Sequence, residues 1–249
     1  ELITRPHVVE KSFSEFFSDY EFTTELEELL KQVQPKAEQV QSGSTGLETT
    51  TQPFRDLTII SVSYTGYEGR QAKNLLKAIG QGIKEWIDVH TEPANAKLYC
   101  IYGERFYILL KNVNSAQARN HARRLYTRLR EYIQRDKQIA RYLDDIYLHI
   151  GVVGHSYMAL QEMLANKSNV ATLRGTLTLR LDNALTQGKE EEEDSIFVWH
   201  PQKEDFICID VLSDQDTAGS VQTKELVRQI IEEEFLQQII EEVHNRQEE

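Results

Sequence analysis

Residues 97–110 read KLYCIYGERFYILL, two runs rich in Tyr, Phe, Ile and Leu (97–102 and 105–110) divided only by Gly103 and Glu104. Runs of this length and composition form strands, and Gly at the first central position of a two-residue connection suits a type II′ turn. The stretch therefore predicts a β-hairpin. Upstream, LTIISVSY (57–64) predicts a strand. Between it and the hairpin, Ala72, Leu75, Leu76, Ile79, Ile83, Trp86 and Ile87 recur at helical spacing. Downstream, Ala118, Ala122, Leu125, Leu129, Tyr132 and Ile133 mark a second helix over about 116–134, followed by the strand IYLHIGVV (146–153). Two shorter helical stretches come next, one around Leu160 and Leu164, the other carrying Leu177, Leu181, Ala184 and Leu185. The strand SIFVW (195–199) closes the unit. The order β-α-β-β-α-β predicts an α+β, ferredoxin-like core over 54–201, with helical additions before its last strand. That fold hosts many functions, so function has to be read from the site.

The flanks differ in character. Residues 1–41 form an N-terminal helical segment in which Phe13, Phe16, Phe17, Tyr20, Leu26, Leu29, Leu30 and Val33 make an apolar face. The stretch QSGSTGLETTTQ (41–52) has no apolar period, so a flexible linker is expected over 42–53. Residues 202–249 hold a strand-like FICIDVL (206–212) and then a long amphipathic helix with Val227, Ile230, Ile231, Phe235, Ile239, Ile240 and Val243 on one wide stripe. Both terminal helices are expected to be appendages to the core. Stripes so wide pack on a core or on a second copy, so self-association or a protein partner is expected through them.

Forty acidic against twenty-eight basic residues give a formal charge of −12 in 249 residues, which argues against nucleic acid and anionic membrane as partners. No apolar run approaches the roughly twenty residues of a membrane helix and no signal segment opens the chain, so no membrane partner and a cytoplasmic location are expected. The first residue is Glu1 rather than Met, which suggests either an excised piece of a longer protein or a chain with a missing start. Cys100 and Cys208 each lie in an apolar run without a second Cys nearby, and both are expected to be buried thiols outside any disulfide.

The hairpin tip reads Tyr102-Gly103-Glu104-Arg105-Phe106, and in this setting it resembles the signature of GGDEF (diguanylate-cyclase-like) domains, which sits on the turn between the second and third strands. The surroundings extend the resemblance over about 55–200. LTIISVSY is similar to the family's first strand, NLLKAIGQGI (74–83) to its first helix, and HIGVV (149–153) to the strand usually written SIGVA. LDNALTQGKEEEEDSIFVW (181–199) is similar to the closing ADxALYxAKxxGRNxV pattern. The resemblance implies a site where two GTP-loaded domains meet and divalent metal assists attack on the α-phosphate, a task that needs hard carboxylate ligands.

The matching positions of this chain depart from that chemistry. Ser61 stands where the family's first-strand metal aspartate is placed, with Ser63 two residues on. Arg105 replaces the acidic fourth letter, and its fixed charge repels Mg²⁺. Tyr102 replaces the first Gly, whose missing side chain lets substrate approach. Asn74 lies near the family's guanine contacts, in a segment that is shorter here. PANAKLYC (93–100) holds neither Arg nor Asp of the RxxD inhibitory motif, and Glu190 to Asp194 replace the closing GRN.

The leading reading is therefore a non-catalytic regulatory or oligomerisation module with no catalytic residues, no metal and no cofactor. The alternative is a nucleotide sensor that binds GTP or a relative without turnover, with Ser61, Asn74 and Arg105 as candidate contacts; a third is an enzyme of altered chemistry using Glu68 or Glu104. For Arg105 the plainer reading is an exposed hairpin residue; Glu104, at the surviving acidic letter, is expected to pair with Arg105 or with a neighbour of its own. Arg119, Arg123, Arg124, Arg128, Arg130 and Arg135 make a basic face on the second helix. It is either solvated surface or a seat for an acidic partner, including the chain's own run at 190–194. His149 and His155 lack metal-ligand spacing.

Overall fold

The computed structural model describes residues 18–34, 53–67, 72–101, 105–167, 169–190, 193–209 and 211. Its α-helices are α1 Asp19–Val33, α2 Ala72–His90, α3 Ser115–Arg135, α4 Tyr157–Lys167 and α5 Val170–Glu190. Its strands are β1 Asp56–Thr65, β2 Ala96–Ile101, β3 Arg105–Lys111, β4 Tyr147–Ser156, β5 Ser195–His200 and β6 Asp205–Ile209. They form one sheet in the order β2-β3-β1-β4-β5-β6. β1 lies between β3 and β4 and is antiparallel to both, with Ser61 opposite Tyr107 on one side and Gly151 on the other. This is the ferredoxin-like βαββαβ arrangement, extended by β5, parallel to β4, and by β6, antiparallel to β5.

Alternation along the strands divides the core in two. Ile60, Val62, Phe106, Ile108, Ile150 and Val152 face α2 and α3. Ile59, Tyr107, Leu109 and Val153 face α1, α4 and α5. α3 begins where Asn114 caps it and Gln117 answers in a capping box. Ser18 and Glu21 do the same for α1.

Several expectations are corrected. α1 is no loose appendage: Phe22, Leu26, Leu29, Leu30 and Val33 are buried in the second core, with Phe22 edge-on to Tyr99 (5.2 Å) and Tyr107 (4.8 Å). Its Glu25 accepts from Lys97 (2.5 Å) and Tyr99 (2.8 Å), and Glu27 pairs with Arg174. Five buried side chains at about 1.5–3 kcal/mol each place the gross contribution on the order of 10 kcal/mol. Tyr20 points outward at 78 % exposure, because the helix turns Phe22 to the sheet instead. The β2–β3 register pairs Ile101 with Arg105, not the Tyr102 with Arg105 pairing expected for a two-residue connection at Gly103 and Glu104. Residues 206–209 of FICIDVL lie in β6, which lengthens the sheet rather than standing apart from it. Neither cysteine forms a disulfide, but Cys208 is exposed because β6 is an edge strand, and Cys100 is half-buried. Phe13, Phe16, Phe17, the residues of the 42–52 linker and the C-terminal stripe lie outside the described residues.

Candidate functional site

Arg105 begins β3 on the face covered by α5. There it is ion-paired to Asp182, and the Tyr107 hydroxyl, two residues along the same face, donates to the same carboxylate oxygen at 2.8 Å. Burial first, then the Asp182 charge, raises the Tyr107 phenol well above its ordinary value, so it stays protonated and can donate to the carboxylate. Arg105 is neither a bare hairpin residue nor a cation facing an open cleft. The pair is partly exposed, at 28 % and 40 % of the two side chains. Asp182 and Tyr107 are absent from the candidate residues read from the sequence. Asp182 is the Asp of LDNAL, so the closing pattern contained the signal. Tyr102, Gly103 and Glu104 lie outside the described residues; Phe106 points the other way, fully buried in the first core.

Ser61 is also under α5, fully buried, with its hydroxyl donating to the Gly151 carbonyl at 3.3 Å. The helix lies close here because the residues beneath it are small. A Cβ on Gly151 would stand 2.5 Å from Ser61 Oγ and 2.8 Å from Ala184 Cβ, and one on Gly188 would collide with Ser195 Oγ. Ser63 is buried as well. Nearby His149 is held between Thr65 Oγ1 (2.7 Å) and Ser195 Oγ (3.1 Å), and burial, helped by Lys189, lowers it to about 4. A divalent metal needs several oxygen ligands with charge. The matching positions supply a hydroxyl engaged with backbone and a guanidinium engaged with a carboxylate, and they do not fit such an ion. Among the described residues no group of three or more His, Cys, Asp or Glu is placed to hold a metal ion.

Asn74 is on the opposite face of the sheet, exposed on α2, so the three candidate nucleotide contacts do not converge. It lines a groove of about 470 Å³ between α2 and the end of α3, together with Lys77, Gln81, Glu85, Tyr132, Arg135 and Asp136, so two cations face two carboxylates there. The arginines of α3 are used unevenly. Arg130 pairs with Asp194, the last residue of the acidic run, which also accepts from Tyr126 (2.5 Å) and the Leu148 amide (2.7 Å). Burial and that carboxylate push the Tyr126 phenol up to about 12. His155 is buried, receives Arg180 at 3.1 Å and is lowered to about 4 by burial and then by that charge, while the Arg180 guanidinium lies 3.9 Å from the centre of the Trp199 ring.

No family model matches the chain, and no curated protein does either. Solved structures similar to it include the GGDEF domain of FimX from Pseudomonas aeruginosa. That comparison has a TM-score of 0.48 and 13 % identity, and covers 75 % of this chain and 96 % of that one. A second is a diguanylate cyclase/phosphodiesterase from Caldicellulosiruptor saccharolyticus, with a TM-score of 0.37, 16 % identity and coverage of 76 % and 97 %. Among the described residues, no helix is long and apolar enough to cross a membrane.

Proposed function

We propose that the chain is a GGDEF-like module that does not cyclise GTP and acts in the cytoplasm as a regulatory or oligomerisation domain. The observation that supports this best is the pairing of Arg105 with Asp182 and Tyr107 at the position where the resembling family holds a metal-binding acid. Closing that position with an internal ion pair uses the cation to fasten β3 to α5 rather than to stabilise a transferring phosphate. Incubation with GTP and Mg²⁺ or Mn²⁺, with product analysed by chromatography, tests it: cyclic di-GMP above a heat-killed control refutes the reading. The described apolar face of α1 is occupied within the chain, so self-association falls to Phe13, Phe16 and Phe17 and to the C-terminal stripe around Ile230, Ile231 and Ile239. Sedimentation equilibrium of the intact chain and of a chain ending at Val211 checks this; a monomer in both refutes it.

A second reading, a nucleotide sensor, has the α2–α3 groove to draw on, where the amides of Asn74 and Gln81, the Tyr132 ring and the cations Lys77 and Arg135 meet the carboxylates Glu85 and Asp136. Isothermal titration of GTP and ATP without metal separates the two readings.

A further inference from the structure

α3 carries six arginines and a single acid, Glu131, in a chain of formal charge −12. Internal pairing accounts for two of the six: Arg130 holds Asp194, and Arg128 spans Glu85 (3.2 Å) and Glu131 (3.1 Å). Arg135 lies over the Tyr132 ring. Arg119, Arg123 and Arg124 form no ion pair with any carboxylate among the described residues. Arg124 is exposed; Arg119 and Arg123 are half-buried, and their Nε atoms are covered and meet no acceptor. His121, set among them, has its pKa lowered by burial, then by Arg124 and His90, with no offsetting acid among the described residues.

Among the described residues nothing balances these three charges. Arg119 and Arg123 are like charges four residues apart, a spacing that weakens a helix unless a counter-charge is present. We propose that Arg119, Arg123 and Arg124 form a docking surface for an acidic segment of a partner protein, presenting two or three carboxylates along one or two turns. The dimensions favour this occupant. From residue 119 to residue 124 the helix rises about 7.5 Å, at 1.5 Å per residue. That length matches a short acidic segment and is too short to follow a nucleic-acid backbone, where specific binders make roughly 6–10 phosphate contacts. The acidity of the rest of the chain repels extended polyanions and anionic bilayers. The chemistry is already used on the same helix, where Arg130 takes Asp194, and guanidinium recognises carboxylates through paired donors.

The proposal rests on reading the chain as an interaction module, but the two fail separately: cyclase activity sinks that reading and leaves this surface standing. The test is fluorescence anisotropy of the intact chain with a labelled helical peptide carrying Glu at i, i+3, i+4 and i+7, and with the same peptide carrying Gln. Only the Glu peptide should bind, less tightly as sodium chloride is raised, and the variant combining Arg119→Gln, Arg123→Gln and Arg124→Gln should lose at least about tenfold in affinity. Thermal melts provide the second readout. Arg123→Gln and Arg124→Gln should leave the Tm unchanged or raise it, whereas Arg130→Gln should lower it. Equal binding of the Gln peptide, wild-type affinity in the triple variant, or equal binding of double-stranded DNA or phosphatidylserine vesicles overturns the proposal. So does an Arg123→Gln melt lowered as far as that of Arg130→Gln.

Discussion

Restoring the family's metal aspartate by Ser61→Asp should fail through stability before substrate is involved. Ser61 has no exposed surface, and its Oγ lies 2.5 Å from where a Cβ on Gly151 would stand, with Ala184 above, so neither water nor an ion has room beside a carboxylate. Burial without a counter-charge raises a carboxyl pKa by roughly 3–5 units. With an unfolded value near 3.9 and a folded value of 7 or above, the ionisation penalty at pH 7 is about 4 kcal/mol at 1.36 kcal/mol per unit, and at pH 5 about 1.5 kcal/mol. The sign follows from linkage: a folded pKa above the unfolded one leaves stability intact below the unfolded pKa and removes it as pH rises through the folded one. Ser61→Asn, nearly equal in size and uncharged, controls for crowding under α5. Urea unfolding of both variants at pH 5 and pH 7 should show an excess loss for the Asp variant that grows by roughly 2–3 kcal/mol between the two. An Asp variant as stable as the Asn variant at both pH values, or one stabilised by Mg²⁺, would mean that the position is open to solvent and ions, and the argument for a closed site would fall.

The Arg105–Asp182 pair should show a coupling of about 0.5–2 kcal/mol in a double-mutant cycle with Arg105→Ala and Asp182→Asn, modest because both side chains are partly exposed; additive effects in urea unfolding would refute the clamp. For His155, whose folded value is lowered to about 4, stability should be complete above its ordinary value near 6.5 and be lost as pH falls toward 4, by an amount on the order of 3 kcal/mol. His155→Gln should flatten that part of the pH–stability curve, and an unchanged slope counts against burial of the neutral imidazole. If titration detects a nucleotide, Asn74→Ala and Lys77→Ala should each weaken it several-fold while Arg105→Ala leaves it unchanged, since Arg105 is on the other face; the reverse order would place the ligand under α5.

Much of the fold was legible because hydrophobic period is a local property. The apolar run of β1, the helical stripe from Leu75 to Ile87 and the two runs flanking Gly103 each state their secondary structure within a few residues, and their order restricts the topology to a split βαβ core. α1 was visible as an amphipathic helix for the same reason, although its place was not: an apolar stripe requires burial without naming the surface that provides it. Tyr20 and Phe22 show the limit, since small rotations of a helix decide which aromatic meets Tyr99 and Tyr107.

By itself the sequence determined the element order, the acidic balance and the absence of carboxylates at Ser61 and Arg105. Only the tertiary structure decided what those residues do instead. Ser61 meets Gly151 across 90 residues of chain, and Arg105 meets Asp182 across 77. Strand alternation puts Ser61, Arg105 and Tyr107 on one face, but the helix that covers that face, and how closely, follows from the small residues Gly151, Ala184 and Gly188 that let α5 approach. Asn74 was grouped with Ser61 and Arg105 through the family resemblance, and the sheet separates them, because a helix packs by its apolar stripe and carries its polar residues to whichever side that stripe requires.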